Sequence, residues 1–253
     1  MTAPIDADLA TTLRRLKLGQ VITTLPERLV LAKTNKLSHA EFLQIVLSDE
    51  ITRRDSTSAT LRARTASLDP TMTLERWDPT TTVTYDRKLW DELVSLRFVD
   101  NANNVIVMGP VGVGKTFLAT ALGHIAVRRR RSVHFERTDR LLKRLRISRL
   151  DNSHDTEIRK LLRVDLLILD DFALTGLDTN DTSDIYELVV ERHRNKSTII
   201  TSNREPIEWI ALMADPLLAQ SAVDRLKSAA YELIVEGDSY RNRQRPSITE
   251  TRP

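Results

Sequence analysis

The stretch Val105 to Thr116, VIVMGPVGVGKT, constrains this chain more than any other. Four apolar residues, Val105 to Met108, run straight into Gly109-Pro110-Val111-Gly112-Val113-Gly114-Lys115-Thr116. That is the G-x-x-x-x-G-K-[ST] spacing of a phosphate-binding loop. A strand must end there, and the glycines let the backbone curl with its N–H groups turned inward. A helix must follow, its positive end aimed at the same point. Phe117, Leu118, Ala121, Leu122, Ile125 and Ala126 recur with the spacing such a helix needs. In a loop of this kind Lys115 reaches the β- and γ-phosphates and the Thr116 hydroxyl takes a place on Mg²⁺. Residues 109–117, including Phe117, form the candidate nucleotide-binding set, with ATP and Mg²⁺ as the expected cofactors.

A second motif, Leu166-Leu167-Ile168-Leu169-Asp170-Asp171, lies some fifty residues on. Its apolar run predicts a central parallel strand buried on both faces. The two carboxylates then stand at the carboxyl end, where ligands bind in open α/β sheets. Asp170 suits a metal-holding role through the ion's water shell. Asp171 suits orienting or deprotonating an attacking water. A strand over Ser197 to Thr201 brings Asn203 to the same edge, where it can lie beside Asp170 and the γ-phosphate; an Asn there can also be a simple turn former. Lys115, Asp171 and Asn203 are thus the candidate catalytic residues of a Mg²⁺-dependent ATPase.

The remaining pattern predicts an all-helical region over residues 1–70 and an α/β domain over 71–253. Ser38-His39-Ala40-Glu41 has the capping-box spacing and opens a helix at Phe42. Residues 70–84, rich in Thr and Pro, read as a linker or ordered loop. A helix is expected from Asp86 to Phe98, a strand over 132–136, helices over 138–149, 155–163 and 181–194, and a last strand over 231–235. There are no cysteines, which excludes disulfides and thiolate metal sites. No apolar run is long enough to cross a bilayer, and MTAPIDADLA lacks a signal-peptide pattern. A cytoplasmic protein without membrane contact is expected.

Net charge is only +3, but it is unevenly spread. Residues 127–163 hold thirteen Lys and Arg against five Asp and Glu, whereas 164–224 hold four against twelve. The basic segment is a candidate DNA contact through Arg128, Arg129, Arg130, Arg131, Arg140, Lys143 and Arg144. The arginine run also fits a solvated helix end. Aromatic residues are five per cent of the chain, which gives few stacking platforms for single strands and favours duplex contact.

Taken together, GPVGVGKT (109–116), LLILDDFA (166–173), TIITSN (198–203), VDRL (223–226) and GDSYRNR (237–243) resemble AAA+ ATPases of the IstB type. These are helper proteins of insertion-sequence transposases, related to the DnaC helicase loader. The resemblance covers nearly the whole chain. It implies a five-stranded parallel sheet in an αβα sandwich, a helical N-terminal domain and no C-terminal lid. It also implies that Arg225 acts as an arginine finger on ATP held by a neighbouring subunit, and that Arg241 touches nucleotide or an adjacent subunit. Asp171, where many AAA+ proteins carry Glu, agrees with the IstB and DnaC group. The implied function is an ATP-dependent ring or spiral of subunits on duplex DNA that assists a transposase. A DnaC-like helicase loader is the alternative, and a scaffold gated by ATP without appreciable hydrolysis is a third reading.

Overall fold

The structure is a computed structural model that describes residues 5–78 and 83–240. Its contacts divide the chain into two compact units, Met1–Leu61 and Arg62–Pro253.

The first unit is helical. Helix α1 (Ala7–Arg15) starts where the Asp6 side chain accepts the Asp8 N–H. Helix α2 (Val21–Asn35) stops at Lys36, whose backbone is left-handed. The capping box then forms as its spacing predicts: the Ser38 N–H donates to Glu41 Oε2 at 2.7 Å and the Glu41 N–H donates to Ser38 Oγ at 3.3 Å. It opens α3 (His39–Thr65), which runs on into the second unit. Val21, Leu25 and Val46 form a small core, closed by Ile5, Leu13, Leu18 and Phe42.

In the second unit, a short 3₁₀ turn (Leu74–Arg76) precedes α4 (Arg87–Val94), capped by Asp86. The helix expected to reach Phe98 breaks at Leu96, which takes a φ of +62°, and restarts as α5 (Arg97–Asp100). Then follow β1 (Asn104–Met108), α6 (Lys115–Arg128), β2 (Val133–Arg137), α7 (Thr138–Leu150), α8 (His154–Arg163) and β3 (Leu166–Asp170). The last elements are α9 (Thr179–Arg192), β4 (Ser197–Ser202), α10 (Pro206–Ile210), α11 (Pro216–Ser228) and β5 (Ala230–Ile234). Val223 to Leu226 lies inside α11, so Arg225 projects from a helix.

The five strands pair in parallel in the order β2-β3-β4-β1-β5. Strands β1, β3 and β4 are buried at every residue, which is why their sequences read as continuous apolar runs. Alternation sorts their side chains between two layers. Ile106, Met108, Leu167, Leu169 and Ile200 join the cluster formed with α7, α8, α9 and α11. On the opposite face lies α6, whose Gly123 meets Ile168 so closely that a Cβ would stand 2.9 Å from Ile168 Cδ1. A sheet between two helical layers is the expected αβα sandwich. Among the described residues no helical domain follows β5.

The last turn of α3 is anchored in this second unit. Arg62 Nη2 donates to Val127 O at 3.1 Å, and the Phe135 N–H donates to Ala66 O at 2.9 Å. Arg62 and Ala66, at the end of α3 and just after it, thus belong to the second unit.

Candidate functional site

The loop after β1 depends on its glycines. Gly109 has a φ of +148°, and a Cβ there would lie 2.0 Å from Val235 O. Gly114 has a φ of +101° beneath the Trp77 ring, whose carbons would stand 3.1 Å from a Cβ. Only glycine meets both demands at either position. Lys115 begins α6 and is 7 % exposed; its Nζ donates to Gly109 O and Pro110 O, each at 2.7 Å. Of the candidate set, residues 111–117 line a cleft, while Gly109 and Pro110 hold the lysine from behind.

Period-two alternation explains the carboxylate at the end of β3. Leu166, Ile168 and Asp170 share the α6 face, and so does Thr201 of β4. Asp170, 3 % exposed, accepts a hydrogen bond from Thr201 Oγ1 at 2.6 Å and has the Thr116 hydroxyl near it. Burial pushes its carboxyl up, the two hydroxyls oppose that, and the adjacent Asp171 adds to the rise. Strict alternation would send Asp171 to the far face. Instead its backbone turns left-handed, with a φ of +54°, and Asp171 lines the cleft.

The cleft encloses about 500 Å³. One side carries Lys115, Thr116, Asp171 and Asn203, all drawn from the carboxyl edge of the sheet. Met72, Trp77, Val83 and Tyr240 line the rest of it, with Thr71, Arg76 and Asp78. This second wall was not legible in the motifs. Trp77 stands in the stretch that reads as a linker or ordered loop, edge-on to Phe117 with ring centroids 5.2 Å apart, and the series continues through Tyr85 to Trp90. Two of the chain's three tryptophans within residues 70–90 are the signal that marks this stretch as ordered. Tyr240 is held by its N–H, which donates to Gly112 O at 2.9 Å. Arg241 lies outside the described residues.

A hydroxyl and a carboxylate that lie close to each other, Thr116 and Asp170, are the hard oxygen donors that suit Mg²⁺. No group of three or more His, Cys, Asp or Glu that could cage a metal occurs among the described residues. Mg²⁺ fits such a sparse set, because it keeps several waters and takes phosphate oxygens from its substrate.

Arg225 does not line this cleft. Its guanidinium donates to Ser221 O at 3.0 Å and to the Ser221 hydroxyl, and no ion pair with Asp224 forms. The basic segment is less open than its charge count suggests. Arg128 pairs with Glu75 at 2.9 Å, Arg129 donates to Ser95 O and Arg131 pairs with Asp100. Arg144 is held by Glu136, at 2.7 Å, and by Glu157. Burial pushes the Glu136 carboxyl up, yet hydrogen bonds from His134 and Arg144 outweigh it and bring it down to about 2. Arg144 therefore ties β2 to α7 and α8. Arg140 and Lys143 remain on the exposed side of α7.

A parallel sheet with a glycine loop, a buried lysine and paired carboxylates at its carboxyl edge defines a P-loop nucleotide-binding domain. The profile of IstB-like ATP binding proteins matches residues 11–247, and the chain belongs to that family. It is 39% identical over 245 residues to a Mycobacterium tuberculosis protein named for ATP binding in an insertion sequence, covering 96% of this chain and 98% of that one. It is 33% identical to the insertion sequence IS21 ATP-binding protein of Pseudomonas aeruginosa, over 94% of this chain and 90% of that one. Among solved structures, the DnaC helicase loader superposes with a TM-score of 0.55 at 22% identity, covering 66% of this chain and 98% of that one. The replication initiator DnaA bound to AMPPCP and single-stranded DNA superposes with a TM-score of 0.56 at 24% identity, over 68% of this chain and about half (51%) of that one. These two likenesses establish the fold.

Proposed function

We propose that this chain is a Mg²⁺-dependent ATPase that assembles on duplex DNA and assists the transposase of an insertion sequence. The observation that carries the reading is the gathering of Lys115, Thr116, Asp170, Asp171 and Asn203 at one sheet edge, in a chain whose relatives bear insertion-sequence names. Lys115 and the loop N–H groups bind the phosphates. Thr116 and Asp170 hold Mg²⁺, which when bound neutralises charge on the phosphates. Asp171 orients or deprotonates the attacking water, and Asn203 positions the γ-phosphate. Arg225, turned away from its own cleft, completes the site of a neighbouring copy, so hydrolysis depends on assembly. Arg241 is assigned to the same contact. The apolar wall of Met72, Trp77 and Tyr240 receives the base.

Trp77 makes the nucleotide step directly visible. Trp209 is fully buried and Trp90 nearly so, which leaves Trp77 as the tryptophan at the cleft. Adding Mg·ADP is expected to change the tryptophan emission, and Trp77→Phe to remove that change while binding persists by calorimetry. An undiminished change in Trp77→Phe would place the base elsewhere.

The DNA step is tested by sedimentation on long duplex and single-stranded DNA with Mg·ATP or Mg·ADP. Large assemblies on duplex with ATP alone are expected. Binding to single strands only, or none until a hexameric helicase is added, would favour a helicase loader. The double variant Arg140→Ala, Lys143→Ala is expected to weaken binding equally at all sequences. It should also shrink the log–log salt slope by about two, roughly one for each lost phosphate contact. An unchanged slope removes α7 from the interface. The four arginines 128–131 rank below these two, although their exposed ion pairs, each worth up to about 1 kcal/mol, are weak enough for a phosphate to displace.

A further inference from the structure

The end of β4 does more than deliver Asn203. Thr201 is fully buried, and the polarity of its hydroxyl is fixed. It donates to Asp170 Oδ1 at 2.6 Å and accepts the Asp171 N–H at 3.0 Å. The Thr201 carbonyl accepts the Phe172 N–H at 2.8 Å. The next residue, Ser202, donates its hydroxyl to Phe172 O at 3.0 Å and accepts Trp209 Nε1–H at 3.2 Å. Two consecutive residues of β4 thus grip three consecutive residues, the last of β3 and the two that follow it.

The grip has a reason. Register pairing between β3 and β4 ends at Leu169 opposite Ile200. Just beyond it, Asp171 and Ala173 take φ values of +54° and +56°, a left-handed conformation unfavourable for side-chain-bearing residues. Such a turn persists only where its surroundings over-determine it. Where the sheet ladder stops, the Thr201 hydroxyl takes over.

We propose that Thr201 is a positioning residue of the nucleotide site, holding the Asp170 carboxylate toward Thr116 and the Asp171 backbone in its left-handed turn through one hydroxyl. The inference rests on the roles proposed above for Asp170 and Asp171. A threonine retained only to fill the core would be replaceable by valine, which has the same shape without the hydroxyl.

The test compares Thr201→Val, Thr201→Ala and Thr201→Ser in the full chain, with Asp170→Asn as a reference. Calorimetry reads ADP affinity in EDTA and the Mg²⁺ concentration that half-saturates the Mg²⁺-dependent gain; steady-state kinetics read kcat and KM for ATP. Val and Ala are expected to raise the Mg²⁺ half-saturation by about 10- to 100-fold, the usual loss when an outer partner of a metal ligand is removed. ADP affinity in EDTA should stay unchanged, kcat should fall more than KM rises, and Ser should restore both readouts. Ser and Ala differ by the hydroxyl alone, so that pair decides the matter even where Val fails to fold. A wild-type Mg²⁺ response in Ala, or Ser as impaired as Ala, overturns the inference while leaving the site assignment intact. An Asp170→Asn variant with a wild-type Mg²⁺ response overturns the assignment of Asp170, and the inference with it.

Discussion

Lys115→Ala is expected to lower nucleotide affinity by roughly 10²- to 10⁴-fold, the largest binding effect of any single change in the cleft. The lysine is nearly buried and sits at the first residue of α6, with its ammonium already among backbone carbonyls at 2.7 Å. Facing phosphate, the same ammonium makes charge-assisted bonds worth about 1.5–3 kcal/mol each, and at about 1.4 kcal/mol per tenfold two of them give the stated range. Calorimetry with ADP and with a non-hydrolysable ATP analogue measures it. The fold should survive, because Gly109 is only half-buried and Pro110 is exposed, so water can replace the lost donor at their carbonyls. Lys115→Met, which keeps the side-chain stem, should lose affinity to the same degree. Binding retained in both variants would mean that the loop N–H groups and α6 hold the phosphates without the lysine.

Local signals carried most of the architecture. The strand, loop and helix around residues 105–128 are adjacent in sequence, so glycine spacing and apolar period suffice to read them. The apolar run ending at Asp170 is legible for the same reason. What depended on distant pairing was not. Charge counted by segment separates a basic stretch from an acidic one, yet the fold lays them against each other. Arg146 Nε donates to Asp181 Oδ1 at 2.8 Å, Arg149 pairs with Asp184, and His154 Nε2 lies 2.9 Å from the same Asp184. The arginines of α7 and the histidine of α8 are held by aspartates spaced along α9, so much of the basic excess neutralises the protein itself. Arg144 shows the same thing between neighbours, because Glu136 and Glu157 belong to the basic segment that the count treated as free charge.

The second wall of the cleft illustrates another limit. Nothing in the Thr- and Pro-rich stretch specifies which surface Trp77 will cover. Only the tertiary approach over Gly114 does, and it appears in the sequence merely as a glycine that a loop already needed. Asp171 is the converse case. Its identity is legible beside Asp170, but alternation assigns it to the wrong face, and a left-handed backbone that no local pattern announces corrects the direction.

That backbone makes Asp171→Asn the more informative of the possible substitutions there. Asparagine matches aspartate in size and is, with it, among the side chains that best tolerate left-handed φ, so the turn held by Thr201 should persist. Alanine would change charge and backbone preference together. Asp171→Asn removes the carboxylate proposed to orient water or take its proton, and hydrolysis should fall by about 10²- to 10⁴-fold, the usual contribution of a positioned base. Nucleotide affinity should hold or rise, because a carboxylate no longer faces the phosphates. On duplex DNA the variant should therefore remain in its ATP-bound assembly, with sedimentation unchanged over hours in Mg·ATP while wild-type assemblies disperse. Single-turnover hydrolysis with DNA present reads the chemistry, and sedimentation reads the consequence. Wild-type turnover in Asp171→Asn would move the base elsewhere and leave Asn203 to orient the water alone. Slow turnover with assemblies that still disperse would separate release from hydrolysis, and the ATP-gated step would then be nucleotide exchange.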